Sequence, residues 1–510
     1  MRAVRTTLWS ASMLLVLTAA SLRAQDLASF EKRTTVRKLD NGLTVIILER
    51  HEAPVFSYAT VVNAGSTQEV TGITGLAHMF EHMAFKGSQN IGTTNYADEK
   101  AALDKVEAAY QAYDTERHKT VGHDDAKVKE LEKAWRDAMA TADKYVVPNE
   151  FSKIVDEAGG AGMNAGTQAD RTTYFFSLPS NRFELWAFLE SERFYDPVFR
   201  EFYKERDVVQ EERRMRYESS PFGRLLLQFT TAAFVAHPYG TPAIGWPSDL
   251  TSFSATDAKN FFNEYYVPAN MVIAIVGDVN PAEAMPVIEK YFGRLPKKPL
   301  PEALRTVEPP QNAERTVVIH ETAQPIYLEG YHRPAATDPD NAAYDTMSIL
   351  LSAGRTSRLY RSIVRDKKLA VQASGFSGFP GQKYPSLFTF IGVPTPQHKA
   401  TELEDPIHAE LERLKTQDVT PEELQSVKTR VKAGLLRQLD SNQGMALQLA
   451  TAQTLFGDWR ELFRSVDKIN AVTAADIRRV ANSTFTPENR TVAYIESNKP
   501  AATAPKGDSK

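Results

Sequence analysis

The most informative feature of the sequence is a group of two histidines and a glutamate within five positions. His78 and His82 are four residues apart, and Glu81 directly precedes the second histidine. On a helix, positions i and i+4 lie on one face, so both imidazoles can bind one Zn²⁺ while Glu81 reaches a nearby water. The pattern H-x-x-E-H inverts the more familiar H-E-x-x-H zinc motif, and a chance match is the alternative interpretation. Gly87 is placed where it could cap the end of this helix.

Composition limits the classes of function and the kinds of metal site. The 510 residues are enough for two to four domains. A net charge of −4 argues against a nucleic-acid-binding protein. The chain has no cysteine, so any zinc site must be built from histidines and carboxylates. That ligand mixture is typical of catalytic sites, and it argues against a purely structural zinc ion.

The two ends of the chain have compositions of their own. Residues 1–24 combine Arg2 and Arg5 with a short apolar stretch and Ala24 at a plausible cleavage point. This pattern predicts a secretory signal peptide and an exported protein, periplasmic if the source is a Gram-negative bacterium. An uncleaved membrane anchor is the alternative, and no stable membrane span is expected once the signal is removed. Residues 498–510 are predicted to be a disordered tail.

Short matches at constant spacing indicate an internal duplication. Asn270 and Asn489 each follow a proline by two residues and lie 219 positions apart. Pro54 and Pro325, near the start of each half, are 271 apart, which gives the first half about 52 extra residues. We therefore expect two similar α+β domains with helices on one side of each sheet. They comprise residues 30–290 and 314–497, joined by a proline-rich linker at 291–313, and the second lacks the histidine motif.

The extra residues of the first half lie at about 98–147. Apolar residues recur there at helical spacing in two stripes, which predicts an inserted helical hairpin. His118 and His123 interrupt the pattern between the stripes. They could bind a metal, but solvated loop histidines are the expected interpretation.

A catalytic zinc ion needs a third protein ligand. Glu205, Val208, Val209 and Glu212 fall at i, i+3, i+4 and i+7, which places two carboxylates and two apolar residues on one helix face. A carboxylate on a buried face needs a partner, and a metal ion is one. The alternative is a charged surface helix whose glutamates pair with arginines, namely Arg206 and Arg213.

Four segments together resemble the pitrilysin/insulinase family of zinc peptidases, which includes the mitochondrial processing peptidases. The segments are residues 75–87, 162–167, 205–212 and 354–360, and they occur in the order typical of the family. The resemblance implies two homologous halves that form a clamshell and one Zn²⁺ per chain. It also implies roles for single residues: His78, His82 and Glu212 as ligands, Glu81 as general base and Glu205 as a supporting carboxylate. Glu211 is the competing choice for the third ligand.

The resemblance further implies how unfolded peptides would bind. Asn164 and Ala165 would lie on an edge strand that pairs with the substrate backbone. Arg365 would be a substrate contact, but Val371 stands where the family often has a tyrosine that could stabilise the oxyanion. We therefore expect the zinc-bearing subunit of a homodimer or heterodimer whose partner supplies the Arg/Tyr pair. A non-catalytic peptide-binding or scaffold subunit of the same fold is the alternative.

Overall fold

The computed structural model describes residues 27–497 as two mixed β-sheets with helices packed around them. The signal peptide and the tail predicted for the two ends lie outside this range. No helix of residues 27–497 is long and apolar enough to cross a bilayer. The strands are β1 Thr34–Lys38, β2 Thr44–Glu49, β3 Val55–Val62, β4 Ala161–Thr167, β5 Thr172–Pro179, β6 Met271–Gly277, β7 Arg315–Glu321, β8 Tyr327–Arg333, β9 Ala370–Phe379, β10 Ser386–Pro394 and β11 Arg490–Ser497.

Helices account for most of the remaining chain. In the first half they are α1 Leu27–Arg33, α2 Leu76–Met83, α3 Tyr96–Arg117, α4 Asp125–Ala142, α5 Glu150–Glu157, α6 Phe183–Tyr195, α7 Phe202–Arg213, α8 Pro221–Ala233, α9 Pro247–Ser252, α10 Ala255–Tyr265 and α11 Pro281–Phe292. In the second half they are α12 Asn341–Ser352, α13 Glu404–Thr416, α14 Pro421–Gln438, α15 Asn442–Phe456, α16 Glu461–Ala471 and α17 Ala474–Thr484.

The two sheets share one topology. The first has the order β1-β2-β6-β3-β5-β4, and the second has the order β7-β11-β8-β10-β9. Without the extra edge strand β1, each sheet contains a parallel pair followed by three antiparallel pairings. The predicted α+β fold with two similar halves is therefore confirmed, and the first half carries α3 and α4 as a helical hairpin.

Matching side-chain contacts fix the alignment of the two halves. The Asn270 side chain donates to the Asn63 carbonyl at 3.4 Å, and the Asn489 side chain donates to the His332 carbonyl at 2.8 Å. The spacing of 219 between the asparagines therefore holds. The residues that accept these hydrogen bonds near the start of each half, Asn63 and His332, are 269 positions apart, rather than the 271 predicted from the prolines. Val62 pairs with Met271 and Tyr331 pairs with Arg490, so β3 aligns with β8 at an offset of 269, and Pro54 and Pro325 are not structural equivalents. The first half is about 50 residues longer.

Each sheet is covered on one face by a helix from the other half. Helix α15 of the second half packs on β3 and β6, where Met445 and Leu449 join a buried cluster with Ile46, Val61 and Val276. Reciprocally, α8 of the first half packs on β7, β8 and β11. The expectation of helices on one side does not hold for the first sheet, because α1 of the same half also reaches this face through Phe30. The amphipathic pattern did not show which sheet or which face each helix covers.

The proline-rich segment after α11 has no helix or strand from residue 296 to residue 314. It is nevertheless attached to the first half. The Glu308 carboxylate accepts hydrogen bonds from the backbone N–H groups of Val235, Ala236 and His237, at 2.8–3.0 Å. These N–H groups follow the end of α8, the helix of the first half that packs on the second sheet. The linker therefore fixes the end of that helix.

Candidate active site

Helix α2 carries His78, Glu81 and His82, and its first turn is held by buried carboxylates. Gly75 precedes the helix with φ +98°, where a Cβ atom would lie 2.6 Å from the Ile244 carbonyl oxygen. Glu69 accepts hydrogen bonds from the backbone N–H groups of Gly75 and Ala77, both at 2.7 Å. The N–H groups of a first helical turn lack partners within the helix, so Glu69 satisfies two groups that would otherwise be unpaired.

Helix α2 ends earlier than the sequence pattern predicts. The last helical residue is Met83, and a turn follows from Ala84. The prediction that Gly87 caps the helix is wrong. Gly87 has φ +90° in the next turn, where a Cβ atom would lie 2.3 Å from the Ile91 carbonyl oxygen, so close backbone packing requires glycine there.

Helix α7 faces α2 and contributes both carboxylates of the predicted set. Glu212 lies in its last turn, immediately ahead of a five-residue π-helical turn, Arg214–Glu218. Glu212 is directed toward both histidines, and Glu211 instead forms an ion pair with Arg214 and has a half-exposed side chain. The geometry therefore favours Glu212 over Glu211 as the third ligand.

Three side-chain atoms converge on one point between α2 and α7. The Glu212 Oε2 atom lies 3.6 Å from His78 Nε2 and 3.4 Å from His82 Nε2. Both distances exceed those of ordinary hydrogen bonds. They match the separation of about 3.4 Å between ligand atoms around a tetrahedral zinc ion with bonds of about 2.0–2.1 Å. In residues 27–497, this is the one group of three or more histidine, cysteine, aspartate or glutamate side chains that could hold a metal ion. Two imidazoles and a carboxylate fit zinc.

Glu205 fixes the orientation of the second imidazole. Its Oε1 atom lies 3.0 Å from His82 Nδ1, and its Oε2 atom lies 2.7 Å from Lys86 Nζ. The hydrogen bond from His82, helped by Lys86, lowers the pKa of Glu205 to about 2. Burial alone would lower the pKa of His82, but the nearby carboxylates outweigh burial and raise it. An anionic Glu205 holds a proton on Nδ1 and leaves Nε2 free to coordinate.

Burial shifts the pKa values of His78 and Glu81 in opposite directions. Burial lowers the pKa of His78 to about 3, so its imidazole is neutral, which is the form that binds a metal. Burial also raises the pKa of Glu81, although hydrogen bonds from Thr167 oppose the shift. A carboxylate with a raised pKa is better suited to accept a proton near neutral pH.

The open edge of the first sheet lies beside this group. Strand β4 pairs only with β5, so its other side has no strand partner among residues 27–497. The Ala165 N–H donates to the Asn164 side chain at 2.8 Å, which indicates that this N–H faces the open edge. A cleft of about 290 Å³ adjoins both residues and is also lined by Glu81, His82 and Phe85.

The structure does not bring Arg365 to this group. Arg365 lies in a π-helical segment, Tyr360–Asp366, where it pairs with Asp366 at 2.6 Å and is 58% exposed. Within residues 27–497, no hydrogen bond or ion pair links it to the histidines or to their glutamates. Val371 is exposed on β9. The two loop histidines also lie apart from the site, with His118 beside Asp114 and His123 beside Asp125.

Several residues that support the site were missed by the sequence analysis. Lys86 and Arg216 contact Glu205 and Glu212, and each lies four residues beyond a metal-binding candidate, a spacing that could have identified them. The alternative in which Arg206 and Arg213 pair with these glutamates is wrong. Arg206 is buried among aromatic rings, and Arg213 pairs with Glu218 at 2.6 Å.

Comparisons with known proteins show which family the chain resembles. Residues 44–135 match the family described as "Insulinase (Peptidase family M16)", and residues 252–431 match "Peptidase M16 inactive domain". The zinc protease PqqE of Helicobacter pylori is 30% identical, with 97% of this chain and 99% of that protein aligned. The mitochondrial-processing peptidase subunit beta of Saccharomyces cerevisiae is 25% identical, with 91% and 90% aligned.

Solved structures show the same relationship. A protease from Helicobacter pylori superimposes with a TM-score of 0.75 at 29% identity, over 91% of this chain and 99% of that one. The periplasmic protease PqqL from Escherichia coli shares the fold, with a TM-score of 0.66 at 18% identity over 92% of this chain and 48% of that one. The chain thus belongs to the insulinase family of peptidases, family M16.

Proposed function

We propose that this protein is a zinc-dependent endopeptidase or oligopeptidase that hydrolyses unfolded peptides. One observation carries the proposal: the Nε2 atoms of His78 and His82 converge on a single oxygen of Glu212, with Glu81 on the same helix. A zinc ion held by these three side chains would act as a Lewis acid and make water more acidic.

The protein's own residues have separate tasks in the reaction. Glu81 accepts a proton from the attacking water and returns it to the leaving amine, because it is a half-buried carboxylate on the helix that carries both histidines and burial raises its pKa. Glu205 keeps the His82 ring oriented through Nδ1. The peptide backbone adds to β4 at Asn164 and Ala165, where the Ala165 N–H exchanges its side-chain partner for a substrate carbonyl. This pairing recognises the backbone and favours unfolded substrates.

The substitution Glu81→Gln tests the catalytic role. The variant should bind zinc as the wild type does but lose activity on an unstructured peptide by several orders of magnitude, because only the base is removed. Glu211→Gln is a matched control, since Glu211 is an exposed carboxylate outside the metal group. Zinc content by mass spectrometry and cleavage by liquid chromatography are the measurements. Equal cleavage by Glu81→Gln and wild type would refute the proposal.

We further propose that the protein is exported and acts as the zinc-bearing subunit of a dimer. The first 24 residues have the composition of a signal peptide, and a periplasmic location follows if the source is a Gram-negative bacterium. Val371 offers no phenol, and Arg365 is paired with Asp366 away from the metal group, so a partner chain would supply an Arg/Tyr pair. A purified protein that is monomeric by analytical ultracentrifugation and fully active in peptide cleavage would contradict the dimer.

A non-catalytic peptide-binding subunit is the second candidate. Val371 favours it, because the tyrosine expected from the family is absent at that position. Measuring zinc content together with peptide cleavage distinguishes the peptidase from the non-catalytic subunit. A fully loaded protein that binds peptides at β4 without cleaving them would support the second candidate.

A further inference from the structure

We propose that the helical hairpin formed by α3 and α4 positions the third zinc ligand by holding α7 from behind. The proposal rests on the proposed zinc site but not on its catalytic activity. Residues of α7 divide between two faces. Glu205 and Glu212 face the histidines of α2, whereas Tyr203 and Arg206 are directed toward the hairpin.

The contact centres on a cation enclosed by aromatic rings. Arg206 is 4% exposed, and its guanidinium carbon lies 4.9 Å from the ring centroids of both Tyr110 and Tyr203 and 5.8 Å from that of Trp135. Its Nη1 atom donates to the Tyr110 hydroxyl at 2.7 Å and to the Phe253 carbonyl at 3.0 Å. Tyr110 belongs to α3 and Trp135 to α4, so one α7 side chain is bound by both helices of the hairpin.

Further polar contacts surround the cage. The Tyr203 hydroxyl donates to Glu107 of α3 at 2.6 Å, and Lys204 pairs with Asp143 just beyond α4 at 2.8 Å. Tyr203 and Lys204 lie in the first turn of α7 and Arg206 in the second, so these contacts hold the first half of the helix to the hairpin. The rotation of α7 about its axis is therefore fixed by residues that do not touch the metal group.

A second connection ties the hairpin to the turn that follows α2. Arg200 is buried, and its Nε and Nη2 atoms donate to Glu99 of α3 at 2.8 and 3.0 Å. Its other hydrogen bonds go to the carbonyls of Lys86, Ser88 and Ile91, at 2.6–2.7 Å. The hairpin is thus bonded directly to α7 and, through Arg200, to the segment that follows α2.

The arrangement matters because zinc tolerates little displacement of its ligands. Bond lengths in zinc sites stay within about 0.2 Å of their usual values. Glu212 lies six residues beyond Arg206, so a small rotation of α7 would move its carboxylate out of reach of both imidazoles. Arg206 is a positioning residue in this scheme, and Tyr110 is its main partner.

The matched pair Arg206→Met and Arg136→Met tests the proposal. Both arginines stack on Trp135, but Arg136 is exposed on the solvent side of α4 and does not contact α7. Zinc affinity is measured by chelator competition on the full chain, at a temperature well below the unfolding midpoint of each metal-free variant. We expect Arg206→Met to weaken zinc binding about tenfold or more, Arg206→Lys to restore part of the loss, and Arg136→Met to match the wild type.

Tyr110→Phe keeps the ring and removes only the hydroxyl that accepts from Arg206, so it serves if Arg206→Met fails to fold. It should weaken zinc binding a few-fold. A folded Arg206→Met or Tyr110→Phe protein with wild-type zinc affinity would overturn the positioning role.

Peptide cleavage is recorded separately on the zinc-saturated wild type. Weakened zinc binding in Arg206→Met, together with an inactive wild type, would support the positioning role and refute the peptidase function.

Discussion

At the scale of single residues, the metal group is defined by how its charges are compensated. His78 is neutral because of burial, whereas His82 lies among carboxylates that favour its charged form. Glu205 balances His82 and Lys86 together, since it contacts both. Binding of a divalent cation between the histidines would therefore displace any proton on His82 Nε2 and leave the Nδ1 hydrogen bond in place.

The substitution Glu205→Gln should weaken zinc binding by about 10–100-fold, the usual effect of removing the partner of a metal-bound histidine. The amide cannot match the charge that fixes the proton on His82 Nδ1. Since the pKa of Glu205 is about 2, the carboxylate is ionised throughout the working range and the loss should be present at every pH from about 6 to 8. It should be larger at pH 8 than at pH 6, because Glu205 also raises the pKa of His82 and a proton on His82 competes with zinc at lower pH.

Glu201→Gln is the control for this prediction. Glu201 also contacts Lys86, at 3.3 Å, but has no hydrogen bond to His82. Chelator competition on both variants gives the two dissociation constants. Equal zinc affinity of Glu205→Gln and Glu201→Gln would show that the carboxylate does not support the metal site.

At the scale of secondary-structure elements, the metal-binding face of α2 depends on the loop before it. Asp249 accepts hydrogen bonds from the backbone N–H groups of Gly72 and Thr74, both at 3.1 Å. Glu69 performs the same task for Gly75 and Ala77. Two carboxylates from different parts of the chain thus set where α2 begins and, with it, the direction of His78.

The stability of the protein should fall as pH rises because of Glu69. Burial raises its pKa from 4.5 to about 8, although two backbone N–H groups favour the carboxylate. The folded state therefore binds this proton more tightly than the unfolded state. The stabilisation is complete below about pH 4.5 and is lost as pH rises through 8, by up to about 1.4 kcal/mol per unit.

Urea unfolding of the wild type and of Glu69→Gln between pH 5 and pH 8 measures this contribution. Other groups titrate in both proteins, so the informative quantity is the difference between their free energies of unfolding. The wild type should lose stability relative to the variant as pH increases. A difference that stays constant across the range would mean that Glu69 is already ionised in the folded protein.

The sequence predicted the ligand-bearing helices better than it predicted their surroundings. The spacing of His78, His82, Glu205 and Glu212 indicates shared helix faces, because helical periodicity is a local property. The partners of Glu205 and Glu212 could not be derived in the same way. The observed partners are Lys86 and Arg216, whereas Arg206 and Arg213 are buried in other contacts, and periodicity does not report burial. Periodicity shows that a side chain lies on one face, but it does not show which neighbour that face meets.

At the scale of the whole molecule, exchange of helices joins the halves into one unit. The residues of α15 that cover the first sheet lie more than 160 positions beyond its last strand, β6. Duplication alone predicted two similar halves and did not show that each half contributes a helix to the other's sheet. The exchange means that the face of β2, β3 and β6 opposite the metal-bearing helix is completed only when the second half has folded.

The substitution Leu449→Ala should therefore destabilise the metal-bearing half from a distance. Leu449 is fully buried against strands of the first sheet, and a buried leucine-to-alanine change costs about 2–5 kcal/mol. Zinc release and loss of helical circular dichroism should shift together to lower urea, because both depend on the shared core. Leu300→Ala, at a position 62% exposed in the linker, should shift neither midpoint. If Leu449→Ala lowered the circular dichroism midpoint but left the zinc-release midpoint unchanged, the halves would fold independently and the exchanged helices would not couple them.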